Sequence, residues 1–557
     1  MQKLREAPLR CGAAAIAFAW SACTCAAEPP VEPQRPRFVT PPGAFILPPV
    51  TPPAQAPAAG DPRVAIQGVA FTGNSAISTA DLNAVARPFV GRRAGAAEVE
   101  ELRQAITRLY VQRGYVSSGA MLESMTGSGL LTYRVVEGRL IAVRLRGLDG
   151  LDERYVARRL ARDDDGPFNV EILRERFQIL LGDPLFARMN ARIVPGPAPG
   201  EAILDVDIER APTHGLVAYA NNYRPPSIGS NGMGLRGWLR NVTGWGDLIE
   251  GSIEDSWEWN SGIRLSLSAR APLNASGTAA FARYERGRTS VIQEALQVLD
   301  IRSVLESAEA GITQSFGETL RERTTLGVSF LARENRTTLL GLPFSFVPGE
   351  PEGRTRTGTI RFWQEYAWRS ERDAFVARST FSLVRTNLQV NPELVSPQQP
   401  DRRYEFWLGQ AQYARRLTES GAQAIVRATI QRTHDRLLAL DALPIGGVAS
   451  VRGYRENELI RDVAQVFNLE LEWPAWRHRD RPITATVIPF ADYAHGRGTN
   501  QVPATLSSVG VAGRLVWGRL TAALALAHKL GHPAAVNVRS GTLQDHGVHF
   551  EVTWALD

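Results

Sequence analysis

Phe467-Asn468-Leu469-Glu470-Leu471-Glu472-Trp473 alternates apolar and polar side chains without a break. Successive side chains on a strand point to opposite faces, so this run reads as a strand with one apolar and one polar face. The same period of two recurs on both sides of it. Upstream, Ala424, Val426, Ala428 and Ile430 alternate with Gln423, Arg427, Thr429 and Gln431, and Leu326, Val328 and Phe330 with Gly327 and Ser329. Further upstream, Ile263, Leu265, Leu267 and Ala269 alternate with Arg264, Ser266, Ser268 and Arg270, and Ile249, Gly251 and Ile253 with Glu250, Ser252 and Glu254. Downstream, Val548, Phe550, Val552 and Trp554 alternate with His549, Glu551 and Thr553. The pattern begins near residue 211 and holds to the end of the chain.

A long series of such strands, charged on one face, is the pattern of a transmembrane β-barrel whose apolar face meets lipid. A soluble sandwich alternates too, with its polar face outward, and the sequence alone does not say which way the faces point. Other features favour the barrel. Residues 1–27 read as a secretory signal: Lys3, Arg5 and Arg10 precede a short apolar core at 12–20, and small residues follow through Ala26 and Ala27. The three cysteines, Cys11, Cys23 and Cys25, all fall in that removable segment. The mature chain then has no disulfide, thiolate metal site or cysteine nucleophile. No run of 18 apolar residues exists to form a membrane helix. Export without such a helix leaves a periplasmic, secreted or outer-membrane fate, and tryptophans near strand ends point to the last. Lys plus Arg is 63 against 57 Asp plus Glu, with the signs interspersed. That balance gives little support to a nucleic-acid partner.

Between the signal and the barrel the composition changes twice. Residues 28–60 are proline-rich and read as an extended linker, with Val31, Phe38 and Phe45-Ile46-Leu47 as sparse apolar points that can dock. Residues 61–140 read as strand, helix, helix, strand: a strand at 64–69, a helix capped by Ser78, a second helix stopping at Gly114, and a strand at 130–136. Residues 141–210 repeat that order, with Asp152 and Asn169 opening the helices. Two copies of one unit suggest a binding array more than a catalytic domain.

One loop within the barrel region stands apart. Val451-Arg452-Gly453-Tyr454 follows Gly446-Gly447 between two strand-like segments, and Phe490-Ala491-Asp492-Tyr493-Ala494-His495-Gly496 ends a strand about 40 residues on. An arginine fork and a carboxylate on an inward face can pair inside a closed β-structure. Taken alone, the two residues read better as a solvated loop arginine and an unrelated strand carboxylate. His528 with His532 and His546 with His549 have metal-site spacing, but no acid or cysteine accompanies them, so they read as loop or lumen histidines. Nucleophile elbows, phosphate loops and paired catalytic carboxylates do not stand out.

Over nearly its whole mature length the chain resembles the outer-membrane transporters of two-partner secretion, the hemolysin secretion/activation family within the POTRA-plus-barrel superfamily. Four patches carry the resemblance. Phe71-Thr72-Gly73-Asn74, the run from Leu109 to Val116 and Val135-Val136-Glu137-Gly138 resemble a first POTRA domain. Leu180-Leu181-Gly182-Asp183-Pro184-Leu185, with Val194-Pro195-Gly196 and the run from Pro199 to Val206, resembles a second. The run from Asn222 to Gly229 resembles the first barrel strand, and Val451-Arg452-Gly453-Tyr454 with Asp492 and Gly496 resembles the family's loop motif and its strand partner.

The resemblance implies a mainly β chain: a signal peptide at 1–27, a linker at 28–60, POTRA domains at 61–140 and 141–210, and a sixteen-stranded barrel at 211–557. That span allows roughly 22 residues per strand and connection. It also implies that periplasmic POTRA domains catch an unfolded client carrying an N-terminal two-partner secretion domain, which threads through the barrel to the cell surface. Val451, Arg452, Gly453 and Tyr454 would form the loop motif in the pore, and Phe490, Asp492 and Gly496 its partner strand. Outer-membrane lipid and the barrel-assembly machinery would be the other partners, without cofactor, metal, nucleotide, nucleic acid or enzymatic activity. Family members can carry an N-terminal plug helix, and residues 28–60 show no such pattern. A barrel-assembly insertase shares the loop motif but usually has more POTRA repeats, and a passive porin needs none.

Overall fold

The computed structural model describes residues 45–46, 64–162, 166–258, 261–292, 294–389, 399–498, 502–531 and 541–556. The expected signal at 1–27, and the linker apart from Phe45 and Ile46, lie outside the described residues, as does His532. The chain divides into two compact units, one formed by Pro41–Pro212 with Thr243–Gly246 and one that holds Thr213–Val242 and Asp247–Asp557.

The first unit holds two α+β repeats. In the first repeat Gly68–Thr72 pairs in parallel with Leu130–Val136, which pairs antiparallel with Gly119–Met125. This last strand corrects the expected order of strand, helix, helix, strand. Met121 and Leu122 are adjacent apolar residues, and the register shifts between Leu122 and Ser124, so the segment carries no period-two signal. The helices Thr79–Ala86 and Ala96–Gln112 bury Leu82, Ala86, Val99, Leu102, Ile106 and Tyr110 against that sheet. Ser78 caps the first helix, its hydroxyl accepting the Asp81 N–H at 3.2 Å.

Glu137 closes this repeat on itself. Its carboxylate accepts the N–H groups of Ser75 and Ala76, each at 2.7 Å, the Tyr110 hydroxyl at 3.0 Å, and the Ser75 hydroxyl. Burial alone would push the Glu137 carboxyl up, but these donors outweigh it and hold it below the usual carboxylate range.

In the second repeat the sheet order is Phe45–Ile46, Phe186–Pro195, Glu201–Arg210, Arg139–Arg146. The helices Glu153–Leu160 and Val170–Leu181 start at Asp152 and Asn169, whose side chains accept the N–H groups of Arg154 and Glu171. Phe45 and Ile46 pair in parallel with Ala191 and Arg192. Part of the expected linker is therefore an edge strand. It comes from 43–47, the longest proline-free stretch between 28 and 60, where the backbone keeps its N–H donors.

The second unit is a closed antiparallel barrel of sixteen strands. They are β1 (His214–Asn221), β2 (Gly232–Arg240), β3 (Leu248–Ser256), β4 (Ile263–Pro272), β5 (Thr278–Ser290), β6 (Arg302–Phe316), β7 (Glu322–Leu339) and β8 (Arg354–Arg369). β9 (Asp373–Thr386), β10 (Arg403–Arg416), β11 (Gln423–Arg432), β12 (Val463–Arg477), β13 (Ile483–Arg497), β14 (Ala504–Trp517), β15 (Leu520–Lys529) and β16 (Val548–Ala555) follow. β16 pairs back with β1. The short strand Leu342–Pro343 only extends the hairpin after β7. The run from Asn222 to Gly229, expected to be the first strand, instead follows β1 and turns through Pro226–Ile228.

Closure settles which way the faces point. Val328 and Phe330 on β7, Ile360 and Phe362 on β8, and Val509 and Val511 on β14 are exposed on the outer wall. Ser329, Thr355, Thr357 and Thr359 alternate with these outward residues and are buried on the lumen side. So continuous an exposed apolar belt is stable against lipid and not against water. Charges on the inner face are paired: Arg378 with Glu365 at 2.8 Å, Arg361 with Glu309 at 3.5 Å, and Arg514 with Glu472.

Glu137→Gln should weaken the first repeat by about 1 kcal/mol at neutral pH, because the bonds from exposed Ser75, half-buried Ala76 and buried Tyr110 lose their ionised acceptor. The folded pKa lies below the unfolded one. The stabilisation is thus complete above the unfolded value and disappears as pH falls through the folded value. Hydrogen exchange over 64–138, comparing parent and variant at neutral and acid pH, should show the difference shrinking on acidification. A difference independent of pH would refute the role given to the charge.

Candidate functional site

The loop joining β11 to β12 folds into the barrel. Its stem is a short hairpin, Leu443–Ile445 paired with Leu459–Arg461. Leu443, Ile445, Val451, Tyr454 and Leu459 pack on the inward residues Ala464, Val466, Ala494 and Leu506 of β12, β13 and β14. The loop thus has a small core of its own. Two glycines make the approach possible. Gly453 has φ +95°, and a Cβ there would lie 2.9 Å from the Cβ of Ala527 on β15. A Cβ at Gly496 would lie 2.7 Å from Arg461 Cγ and 2.8 Å from Ile445 Cδ1, so the bare strand makes room for the stem.

Arg452 is 6% exposed. Its Nε donates to Asp492 Oδ2 at 2.8 Å and its Nη2 to Asp492 Oδ1 at 2.7 Å, a parallel fork. The Arg452 backbone N–H adds a third bond to Asp492 Oδ2 at 3.0 Å. Asp492 is 3% exposed and faces inward with Phe490, Ala494 and Gly496, while Ala491 and Tyr493 face outward. The Phe490 ring lies under the guanidinium, 3.6 Å from Cζ to ring centre, a cation–π contact in a desolvated place. Val451 is fully buried beside the fork. The Tyr454 hydroxyl reaches the carbonyls of Gly531 at 2.5 Å and Ser507 at 3.1 Å.

Three partners were not legible in the sequence. Glu470 on β12 accepts Arg452 Nη1 at 2.6 Å and also pairs with Arg427 on β11. Asn468, two residues earlier on the same face, donates to Asp492 Oδ1 at 2.8 Å and to the Ser450 carbonyl at 2.5 Å. His549 on β16 accepts the Gly453 N–H at Nε2, 3.0 Å. Asn468 and Glu470 were visible only as polar members of an alternating run. Their meeting with Asp492 depends on the register of β12 against β13, where Asn468 stands opposite Asp492. The buried guanidinium of Arg452 and the half-buried one of Arg427 face two carboxylates, so the cluster is balanced in charge, as burial requires. Of the histidines set aside as loop or lumen residues, His528 is exposed on β15 and His546 ends the turn Leu543–His546. Among the described residues, no cluster of three metal-binding side chains occurs.

Residues 64–138 match the family model described as POTRA domain, ShlB-type. Residues 377–515 match that of haemolysin secretion/activation protein ShlB/FhaC/HecB, a span that contains the loop with β12 and β13. No curated protein matches the chain. Among solved structures, CdiB from Escherichia coli is similar with a TM-score of 0.68 at 17% identity, over 94% of this chain and 94% of that one. CdiB from Acinetobacter baumannii is similar with a TM-score of 0.62 at 14% identity, over 92% of this chain and 94% of that one. BamA from Haemophilus ducreyi, lacking POTRA domains 1–3, gives 0.51 at 12% identity, over 88% and 100%. At these identities the likeness is one of fold.

Arg452→Ala would leave two buried carboxylates short of a partner, at a cost on the order of 3–5 kcal/mol. The loop, not the barrel, should give way. With Cys11, Cys23 and Cys25 replaced by serine, a Val451→Cys thiol should resist water-soluble maleimide in the parent and react readily beside Arg452→Ala. Arg452→Lys should react at an intermediate rate, since a point charge cannot fork. Equal rates in all three chains would show that the fork does not hold the loop.

Proposed function

This chain belongs to the haemolysin secretion/activation family of outer-membrane secretion transporters, and on that premise we propose that it exports one unfolded partner protein to the cell surface. Residues 1–27 direct it across the inner membrane, and the barrel-assembly machinery inserts residues 211–557 into outer-membrane lipid. Residues 61–140 and 141–210 act as two periplasmic POTRA domains, joined to the signal by 28–60. They recognise a client of the hemolysin, adhesin or hemagglutinin type through its N-terminal secretion domain. An extended client segment can add to an exposed sheet edge there by backbone hydrogen bonds.

The observation that carries this reading is the Arg452 fork to Asp492 and Glu470 inside a closed barrel. A loop held across a lumen by breakable polar contacts suits a conduit that opens only for its client. Val451, Arg452, Gly453 and Tyr454 form the movable side, and Phe490, Asp492 and Gly496 the fixed side. Folding of the client outside supplies a direction without nucleotide.

The test compares surface and culture-supernatant proteins of the native host carrying the parent chain, a chain lacking residues 61–140, or Arg452→Ala. We expect one large exported protein to disappear in both variants while the barrel stays heat-modifiable at near-normal abundance. Loss of many unrelated outer-membrane barrels would favour an insertase instead. An unchanged set of exported proteins would refute export and leave a passive pore.

A further inference from the structure

The junction that closes the barrel is its shortest. β1 and β16 pair only from Val217 with Ala555 to Asn221 with Glu551, a shorter ladder than at any other contact between consecutive barrel strands. One backbone bond remains at each end, Leu556 N–H to the Leu216 carbonyl at 2.8 Å and Asn222 N–H to the Phe550 carbonyl at 3.3 Å, and at the Asn222 end a side chain extends the ladder further. The Asn222 amide imitates a peptide group: its Oδ1 accepts the Phe550 N–H at 2.9 Å and its Nδ2 donates to the Val548 carbonyl at 2.8 Å. Asn222 is fully buried.

Gln544, also fully buried, stands behind this extension in the turn Leu543–His546 just before β16. Its Nε2 donates to the Asn222 carbonyl at 2.5 Å and to the Arg224 carbonyl at 2.8 Å. Its Oε1 accepts the Glu456 N–H of the lumen loop at 2.9 Å. Two carbonyls on one side and an N–H on the other fix the orientation of the amide. A single side chain therefore holds the segment after the first strand, sits on the approach to the last strand, and touches the loop four residues beyond Arg452. The Arg224 side chain carries the contact onward to Glu254 on β3 at 3.1 Å. Among the hydrogen bonds of the described residues, the loop's other ties to this region, Gly453 with His549 and Arg455 with Asp545, stop at the last hairpin.

We propose that Gln544 is a positioning residue that couples the docked state of the lumen loop to closure of the β1–β16 junction, so that release of the loop also loosens the seam. The proposal rests on the reading above that the loop is released when a client passes. When the loop leaves, the Glu456 N–H goes with it and Gln544 Oε1 loses its acceptor role. The amide is then free to turn away from two carbonyls that it had aligned. Coupling of this kind is reciprocal, so a seam held shut must favour the docked loop.

The test uses the full chain in isolated outer membranes, with Cys11, Cys23 and Cys25 replaced by serine and a cysteine pair placed across the seam. Ala220→Cys and Val552→Cys face each other in register. The rate of oxidant-driven disulfide formation reports a paired seam. Arg452→Ala should slow it by about five-fold or more. Gln544→Leu should slow it too, and the double variant should be no slower than Gln544→Leu alone. Gln544→Asn, one methylene too short to span both sides, serves if the leucine variant fails to reach the membrane. An Arg452→Ala rate equal to the parent, or effects that multiply in the double variant, would overturn the coupling. No client enters this assay. Coupling with unchanged export would count against the transport reading alone, and export loss with an unresponsive seam against this proposal alone.

Discussion

Arg452 brings a positive charge to a place nearly closed to water, and its surroundings answer from three directions. Asp492 takes the fork in its own plane, Glu470 takes the remaining nitrogen, and the Phe490 ring covers one face. A guanidinium is planar and cannot shed its proton, so its partners must come to it in a fixed geometry. Three constraints on one rigid group fix the place of the loop that carries it. The packing of Val451 and Tyr454 on the wall, and the bare surface at Gly496, are consistent only with that one placement.

The depth of this arrangement differs from its specificity. A buried ion pair roughly breaks even against a well-packed apolar replacement, yet losing one partner is costly. The fork therefore sets where the loop sits more than how tightly it stays. Apolar contact from the loop's small core adds a modest, non-directional share. A second buried pair acts at the other end of the same loop: Asp441 meets Arg333 of β7 and the Tyr404 hydroxyl of β10, the latter at 2.5 Å. The base of the loop is thus referenced to β7 and β10, and the tip to β12, β13 and β16.

The barrel was legible because its strands obey a period of two over hundreds of residues, and that signal survives any error in one strand. Its orientation was not, since alternation is symmetric until closure assigns an inside. The helices of the two repeats were legible through caps at Ser78, Asp152 and Asn169, which act locally. Gly119–Met125 was missed because a bulge breaks its alternation, and Phe45–Ile46 because two residues carry no period. At the site, Arg452 and Asp492 were readable as a resemblance and as chemistry. Glu470, Asn468 and His549 were not, because their contacts follow from the register between strands. Register depends on the whole sheet and leaves no mark in a local stretch.

Polar residues on the inner wall answer two demands that would conflict in an apolar core. Each charge removed from water must find a partner, and strand neighbours supply it, as Arg378 and Glu365 do across β8 and β9. Each such pair also ties two strands together, adding side-chain contact to the backbone ladder where the wall would otherwise rest on hydrogen bonds alone. At the β1–β16 junction the ladder is too short for this, and Asn222 substitutes an amide for the missing backbone. The chain spends its least forgiving chemistry, buried amides and guanidinium forks, where periodicity ends: at the seam and at the loop. Those are the places where a barrel built by repetition has to be told its register by particular side chains.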